Sequence, residues 1–179
     1  MPGKQTYNWK AQSNIGTNYE ILLDKHFSER YVVRAASLAE QRMGIDRFFS
    51  QKITSCIGIR SEVRRVCFSV EYKADVKADK TGNIFVEIDQ IRSDGGKKKG
   101  WALTFYAQVL VIFLPRHRTL LLANAWTVKT LLNHWIENYS LSTWVKNEVG
   151  NSARGVLVPI EVFTVNCCFG RETIRAGIE

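Results

Sequence analysis

Four cysteines, Cys56, Cys67, Cys167 and Cys168, are present and no two stand two to four residues apart, so the paired spacing of a structural zinc site is missing. Cys167 and Cys168 are adjacent, and on a strand they would face opposite ways and could not serve one metal. Reduced, buried thiols in a cytosolic protein are expected instead. The histidines are equally sparse: His26, His117 and His134 fall in no His-Glu-X-X-His or comparable metal pattern. Gly-X-Ser-X-Gly, P-loop and dinucleotide fingerprints are also missing. The most apolar stretch, 101–114, stops at Pro115-Arg116-His117-Arg118, short of the ~20 residues of a membrane helix. It reads as core, with no membrane partner. Residues 1–16 are polar and contain no apolar signal region, so a cytoplasmic location is expected.

What is present fits one globular unit. The length, 179 residues, suits a single domain with a full hydrophobic core. It is read as a 17–140 core with an extended arm at 1–16 and a C-terminal extension at 141–179. A 45% hydrophobic and 23% charged composition argues against wholesale disorder. Lys plus Arg number 25 against 17 for Asp plus Glu, a formal charge of +8. That surface attracts polyanions, nucleic acid first among them.

Residues 17–43 lack Gly and Pro, and Tyr31, Ala35, Leu38 and Ala39 recur at helical spacing before Gly44, a potential left-handed cap. One helix is expected there, or two broken near Ser28, with Ser28 capping the second and Glu29 in its first turn. Segments 45–49, 51–59, 65–73 and 83–91 have the β-branched and aromatic content of strands. The turn-forming 79–83 between the last two predicts an antiparallel hairpin. Residues 93–100 read as a flexible basic loop, and 101–108 as a short helix or a further strand. Two buried strands, 109–114 and 119–123, are expected around Pro115, then an amphipathic helix over 127–139 with Leu131, Leu132, Trp135 and Tyr139 inward. Residues 155–165 are the clearest strand of the remainder. Helix, strands, helix and strand in that order predict a mixed sheet covered by helices.

Chemistry concentrates in Arg65-Val66-Cys67-Phe68-Ser69-Val70-Glu71-Tyr72-Lys73. Strand alternation puts Val66, Phe68, Val70 and Tyr72 on one face and Cys67, Ser69, Glu71 and Lys73 on the other. A carboxylate and an amine ending an otherwise apolar strand either form an exposed pair, face a cleft, or hold an ion. Upstream, Gly44-Ile45-Asp46 sets a second carboxylate at the start of the preceding strand region.

This order resembles the PD-(D/E)XK nuclease superfamily, in which an Asp on one strand and a Glu-X-Lys or Asp-X-Lys on the next converge. The resemblance runs over about 29–139, and it includes a third strand at 84–88 and a later Gly100-Trp101 ahead of an apolar strand pair. Ile45 stands where the family has Pro. It implies an α/β restriction-endonuclease-like fold, a mixed β-sheet flanked by helices with an αβββαβ core. It further implies that Asp46 and Glu71 hold Mg²⁺ or Mn²⁺, with the Tyr72 carbonyl and waters, while Lys73 orients or deprotonates the attacking water. Cleavage would leave a 5′-phosphate and a 3′-hydroxyl. Some members add a glutamate from the first helix, matched here by Glu29, with Glu40 as competitor. Gln108 lies where some relatives have an acidic residue.

DNA is the expected substrate, RNA is left open, and a homodimer accords with many nucleases of this fold. Basic side chains should grip phosphates: Lys97, Lys98 and Lys99 in their Gly-flanked segment, then Arg116 and Arg118 beside His117. Five tryptophans offer rings for base stacking, but Trp101, Trp126 and Trp135 sit amid apolar sequence and are expected in the core. Two alternatives stand beside the nuclease: a non-catalytic nucleic-acid-binding module on the same fold, and a basic α/β protein-interaction domain with Glu71 and Lys73 as an exposed pair.

Overall fold

In the computed structural model, residues 9–57, 60–145 and 152–174 are described. The chain runs α1 (Trp9–Ser28), β1 (Val32–Ala35), α2 (Leu38–Arg42), β2 (Arg47–Ile57), β3 (Arg60–Ala74), α3 (Ala78–Thr81), β4 (Asn83–Ile91), β5 (Lys97–Lys99), α4 (Trp101–Thr104) and β6 (Val109–Leu114). A 3-10 turn at Pro115–His117, β7 (Thr119–Asn124), α5 (Ala125–Asn138), β8 (Leu141–Val145), β9 (Ser152–Pro159), α6 (Ile160–Cys167) and β10 (Cys168–Thr173) follow. A six-stranded mixed sheet has the order β1-β2-β3-β6-β7-β10, and a second, four-stranded sheet has the order β5-β4-β9-β8. In the first sheet β3 and β6 are parallel and the other neighbours antiparallel. This is the mixed α/β, helix-flanked architecture expected. No described helix is long and apolar enough to cross a membrane.

β6 is the hinge of the packing. Its run Val-Leu-Val-Ile-Phe-Leu is apolar throughout because both faces are covered. Leu110, Ile112 and Leu114 join Ile84, Val86, Val156, Leu132, Trp135 and Phe163 in one core, which includes residues of the second sheet, α5 and α6. Val111 and Phe113 join Val70, Tyr72, Phe49 and the α1 residues Leu23 and Phe27 in another. The six-stranded sheet therefore has α1 on one face and the rest of the protein on the other.

Several expectations are corrected. The first helix ends at Ser28, whose hydroxyl donates back to the carbonyls of Asp24 and Lys25; it closes one helix rather than capping a second. Val32–Ala35 is then a strand paired with β2, because the β-branched pair Val32-Val33 prefers a pleated edge despite the helical spacing around it. The true second helix is α2, opened by a capping box in which Ser37 accepts from the Glu40 amide and Glu40 accepts from the Ser37 amide. Residues 47–49 and 51–57 of the two expected strands belong to the single strand β2, and 58–59 lie outside the described residues. The predicted 65–73/83–91 hairpin does not form. α3, ended by Gly82 at φ +69°, carries the chain to the other sheet, and β4 pairs with β5 and β9.

The basic loop is partly strand, since Lys97–Lys99 lies along Ile91, Gln90 and Asp89. Residues 101–108 hold one helical turn, α4. The strand expected at 155–165 stops at Pro159 and passes into α6. Of the expected arm, residues 9–16 are helical and 1–8 lie outside the described residues; of the expected extension, 141–145 and 152–173 supply β8, β9, α6 and β10, while 146–151 and 175–179 lie outside them. Among the thiols, Cys167 is buried but Cys67 is exposed, because β3 reaches past the start of β6 there and has no neighbour on that side. The side chain of Cys56 lies outside the described residues. Of the tryptophans expected in the core, Trp135 is buried, Trp101 is half-buried and Trp126 is 73% exposed. The inward stripe of α5 is Ala125, Val128, Leu132 and Trp135, which leaves position 126 on the outer side.

Candidate active site

β2 and β3 pair with Arg47 opposite Val70, so Asp46, one residue earlier, reaches the level of Glu71. The Asp46 amide donates to the Val70 carbonyl at 2.8 Å, and the Tyr72 amide donates to Asp46 Oδ2 at 2.7 Å. Asp46 is thus held by the strand that carries Glu71. Along an extended strand the N–H and C=O of one residue face the same neighbour, so the Tyr72 carbonyl looks toward the Asp46 side. Strand alternation sends Val70 and Tyr72 under α1 and leaves Glu71 and Lys73 on the opposite face.

The charges there are unequal in their exposure. The Glu71 side chain is 5% exposed and that of Lys73 33%, so the carboxylate is buried and the lysine half-buried beside it. Glu71 Oε1 forms an ion pair with Lys73 Nζ. Glu71 Oε2 is buried and accepts no hydrogen bond. Burial raises the Glu71 pKa first, and the neighbouring Asp46 carboxylate raises it further; these outweigh the Lys73 ammonium and bring it to about 7. For Lys73 burial works against the charge, but the carboxylates of Glu71, Asp46 and Glu87 together hold its pKa above that of an ordinary lysine. The lysine stays charged, while the glutamate beside it is poised between its two forms near neutral pH.

Two sets of contacts brace the site. On the α1 face, Arg47 donates through Nε to both Asp24 oxygens at 2.8 and 2.9 Å, through Nη2 to Glu20 at 3.1 Å, and through Nη1 to the Asp46 carbonyl at 2.9 Å. The Tyr72 hydroxyl donates to Asp24 at 3.2 Å. On the β6 side, Gln108 Oε1 accepts from the Ser69 amide at 3.0 Å and the Gln108 amide donates to the Ser69 carbonyl. Gln108, where an acidic residue had been a possibility by resemblance, is a strand clamp.

Two glycines permit the close approaches. Gly44 has φ +66°, and a Cβ on it would lie 2.6 Å from that of Phe105. A Cβ on Gly100 would lie 2.5 Å from the Glu87 carbonyl oxygen. Gly100 therefore lets α4 press against β4 where Glu87 lies.

Asp46, Glu71 and Lys73 come together; the remaining sequence candidates do not join them. Glu29 follows the last turn of α1 in a cleft lined by Ser50, Gln51 and Lys52, about 13 Å along β2 from Asp46 at ~3.3 Å per residue. Glu29, matched by resemblance to a first-helix glutamate, thus stands at the far end of α1 from the carboxylate pair. Glu40 is engaged by Ser37 and by Arg34. Lys97, Lys98 and Lys99 are exposed on a strand whose last residue, Lys99, pairs with Asp89, two positions from Glu87. Arg116 is exposed, whereas Arg118 donates through Nε to the Ile174 carbonyl. Glu20, Asp24 and Glu87 had not been singled out. Nothing local marks them beyond the four-residue spacing of Glu20 and Asp24, which puts both on one helix face.

Two facing carboxylates, one with a buried oxygen lacking any donor, fit a hard divalent cation that takes one or two carboxylates and completes its shell with water and phosphate. Asp46 and Glu71 would hold it, with the Tyr72 carbonyl on the same side. Comparison of the chain with protein-family models, with curated proteins and with solved structures gave no match.

Proposed function

We propose that the chain is a divalent-metal-dependent nuclease of the PD-(D/E)XK type, hydrolysing DNA phosphodiester bonds with Asp46, Glu71 and Lys73. The observation that carries this reading is Glu71, a buried carboxylate kept beside a second carboxylate, with one oxygen unsatisfied and its pKa raised to about 7. Such an arrangement costs stability in the absence of a cation, and perturbed carboxylates of this kind cluster at functional sites. Topology adds support. With α2, α3, β4 and β5 intervening, α1, β1, β2, β3, α4 and β6 follow one another as αβββαβ, with β6 parallel to β3, an order like that implied by the resemblance but with β1 rather than the 84–88 strand as its third strand. The 84–88 strand falls outside it, in the second sheet.

A bound Mg²⁺ or Mn²⁺ would supply a more acidic water and positive charge for the phosphoryl oxygens. Asp46 and Glu71 would hold it between β2 and β3. Lys73, held charged by the carboxylates around it, would donate from Nζ to orient the attacking water and the scissile phosphate. The overall charge of +8 and the exposed lysines of β5 draw the polyanion in. The test is incubation of the protein with supercoiled plasmid and with linear and branched oligonucleotides in Mg²⁺, Mn²⁺ or EDTA. Cleavage with metal alone, lost in Lys73→Ala, is the expected result. Equal behaviour of wild type and Lys73→Ala on every substrate ends the proposal.

A further inference from the structure

Tyr106 and Trp126 are 66% and 73% exposed. One exposed ring on a surface requires no explanation. A cation accompanies them: Lys129 Nζ lies 5.0 Å from the centroid of Tyr106 and 4.8 Å from that of Phe105, and Trp126, three residues before Lys129 on α5, shares one flank of the helix with it. The carbonyl of Met43, a residue 46% exposed, accepts the Tyr106 amide at 2.8 Å.

This patch is fastened to the strands of the candidate site. Met43 precedes Asp46 by three residues, with Gly44 between them packed on Phe105. The Ala125 amide donates to the Gln108 carbonyl at 3.1 Å, and Gln108 clamps Ser69, two residues before Glu71 on the same face. Rings and carboxylates are therefore joined by short backbone paths.

We infer that Tyr106, Trp126 and Lys129 form a stacking platform for unpaired bases, so that the strand presented to the site is single-stranded, looped or frayed nucleic acid. The inference rests on the nuclease reading for what is done to that strand. An exposed aromatic face accepts the π-face of any base, and a neighbouring ammonium meets the phosphate that accompanies it. Duplex hides those faces in its own stack, so the platform selects bases that are free. Charge favours this occupant over a second copy of the chain. A twofold contact through the same patch would bring two Lys129 ammonium groups together.

The test is binding in EDTA, where the strand stays whole, by fluorescence anisotropy with the full chain. The probes are a labelled single-stranded oligonucleotide, the same strand with an abasic tract, and a duplex. At ~1–3 kcal/mol per stacked base, the single strand should bind about 5- to 140-fold more tightly than the abasic strand. Trp126→Ala should lose most of that preference while leaving the abasic affinity unchanged, and Trp126→Phe should restore much of it. Unchanged single-strand affinity in Trp126→Ala overturns the inference. So does an equal loss on the abasic strand, or a dimer in sedimentation velocity that Trp126→Ala dissolves without altering binding. Because no cleavage is read, base-dependent binding without metal-dependent cleavage removes only the nuclease reading. Cleavage that persists without base-dependent binding removes only the platform.

Discussion

Replacing Asp46 by Asn separates a metal site from a merely buried ion pair, because the two predict opposite signs. The amide is the same size as the carboxylate, and its oxygen can still accept the Tyr72 N–H now held at 2.7 Å. What disappears is the negative charge that helps push Glu71 up to about 7. Above that pH Glu71 is ionised in both folded and unfolded chains, and the folded state bears the whole cost of its raised pKa. Below the ordinary value near 4.5 both states are protonated and the cost is absent. The metal-free protein should therefore lose stability from this group as pH rises through roughly 4.5–7. Asp46→Asn should return part of it at pH 8, ~1.4 kcal/mol for one unit of pKa relief less the lost attraction between Asp46 and the Lys73 ammonium, at ~2–4 °C of melting temperature per kcal/mol for a chain of this size.

Saturating Mn²⁺ should reverse the ranking. At a hundred times the dissociation constant it adds ~2.7 kcal/mol to wild type, ~5–11 °C, and little to the variant. That gain should grow as pH rises towards 7 and level off above, since the ion displaces the Glu71 proton. Differential scanning calorimetry at several pH values, with Mn²⁺ or EDTA, reads both effects. A variant less stable than wild type in EDTA, or a wild type indifferent to Mn²⁺, would refute the reasoning.

Other perturbations probe the supports. Because alternation puts Lys97 and Lys99 on one side of β5 and Lys98 on the other, removing the first pair should reduce the slope of log K against log salt for duplex binding by ~1.8, at ~0.9 per phosphate contact. Lys98→Ala alone should change it by well under ~0.9; equal effects per residue would contradict the strand. Gly44→Ala introduces a Cβ 2.6 Å from that of Phe105 at a φ of +66°. It should cost at least ~1–2 kcal/mol from backbone conformation alone and lower cleavage by displacing Asp46, measured by urea denaturation alongside plasmid nicking. Arg47→Met removes the donor shared by Asp24, Glu20 and the Asp46 carbonyl. A loss of ~2–4 kcal/mol is expected, short of a fully buried pair because Asp24 and Glu20 are part-exposed. Unchanged denaturation midpoints would show that the network contributes nothing.

The parts legible in the sequence were those decided by neighbours along the chain. Glu71 and Lys73 share a face because a strand alternates whatever surrounds it, and the β6–β7 pair announced itself as apolar runs about Pro115. The misread parts were decided by distant contacts. Tyr31, Ala35, Leu38 and Ala39 keep a helical interval, yet pairing with β2 made Val32–Ala35 a strand; the Val32-Val33 pair and the Ser37-X-X-Glu40 box were the available counter-signals. Asn83–Ile91 has the makeup of a strand in either sheet, and composition does not choose its partner. Trp126 was expected in the core from its apolar company, but a helix exposes one side regardless of how apolar its sequence is.

Stability explains most of these contacts but leaves Glu71 unexplained. Arg47 offsets its burial with four hydrogen bonds, and Gln108 closes a strand junction, so each would be kept by a protein with no ligand at all. Glu71 is different. Its ion pair with Lys73 satisfies one oxygen, the other has no donor, and the nearest charge besides the lysine is of its own sign. A glutamine would remove the like-charge repulsion, and an apolar side chain the buried unsatisfied oxygen. A residue that local physics penalises, fixed between two braced strands, is what the proposed metal site would account for. The two carboxylates and the lysine are the arrangement in which a divalent cation would turn that penalty into binding.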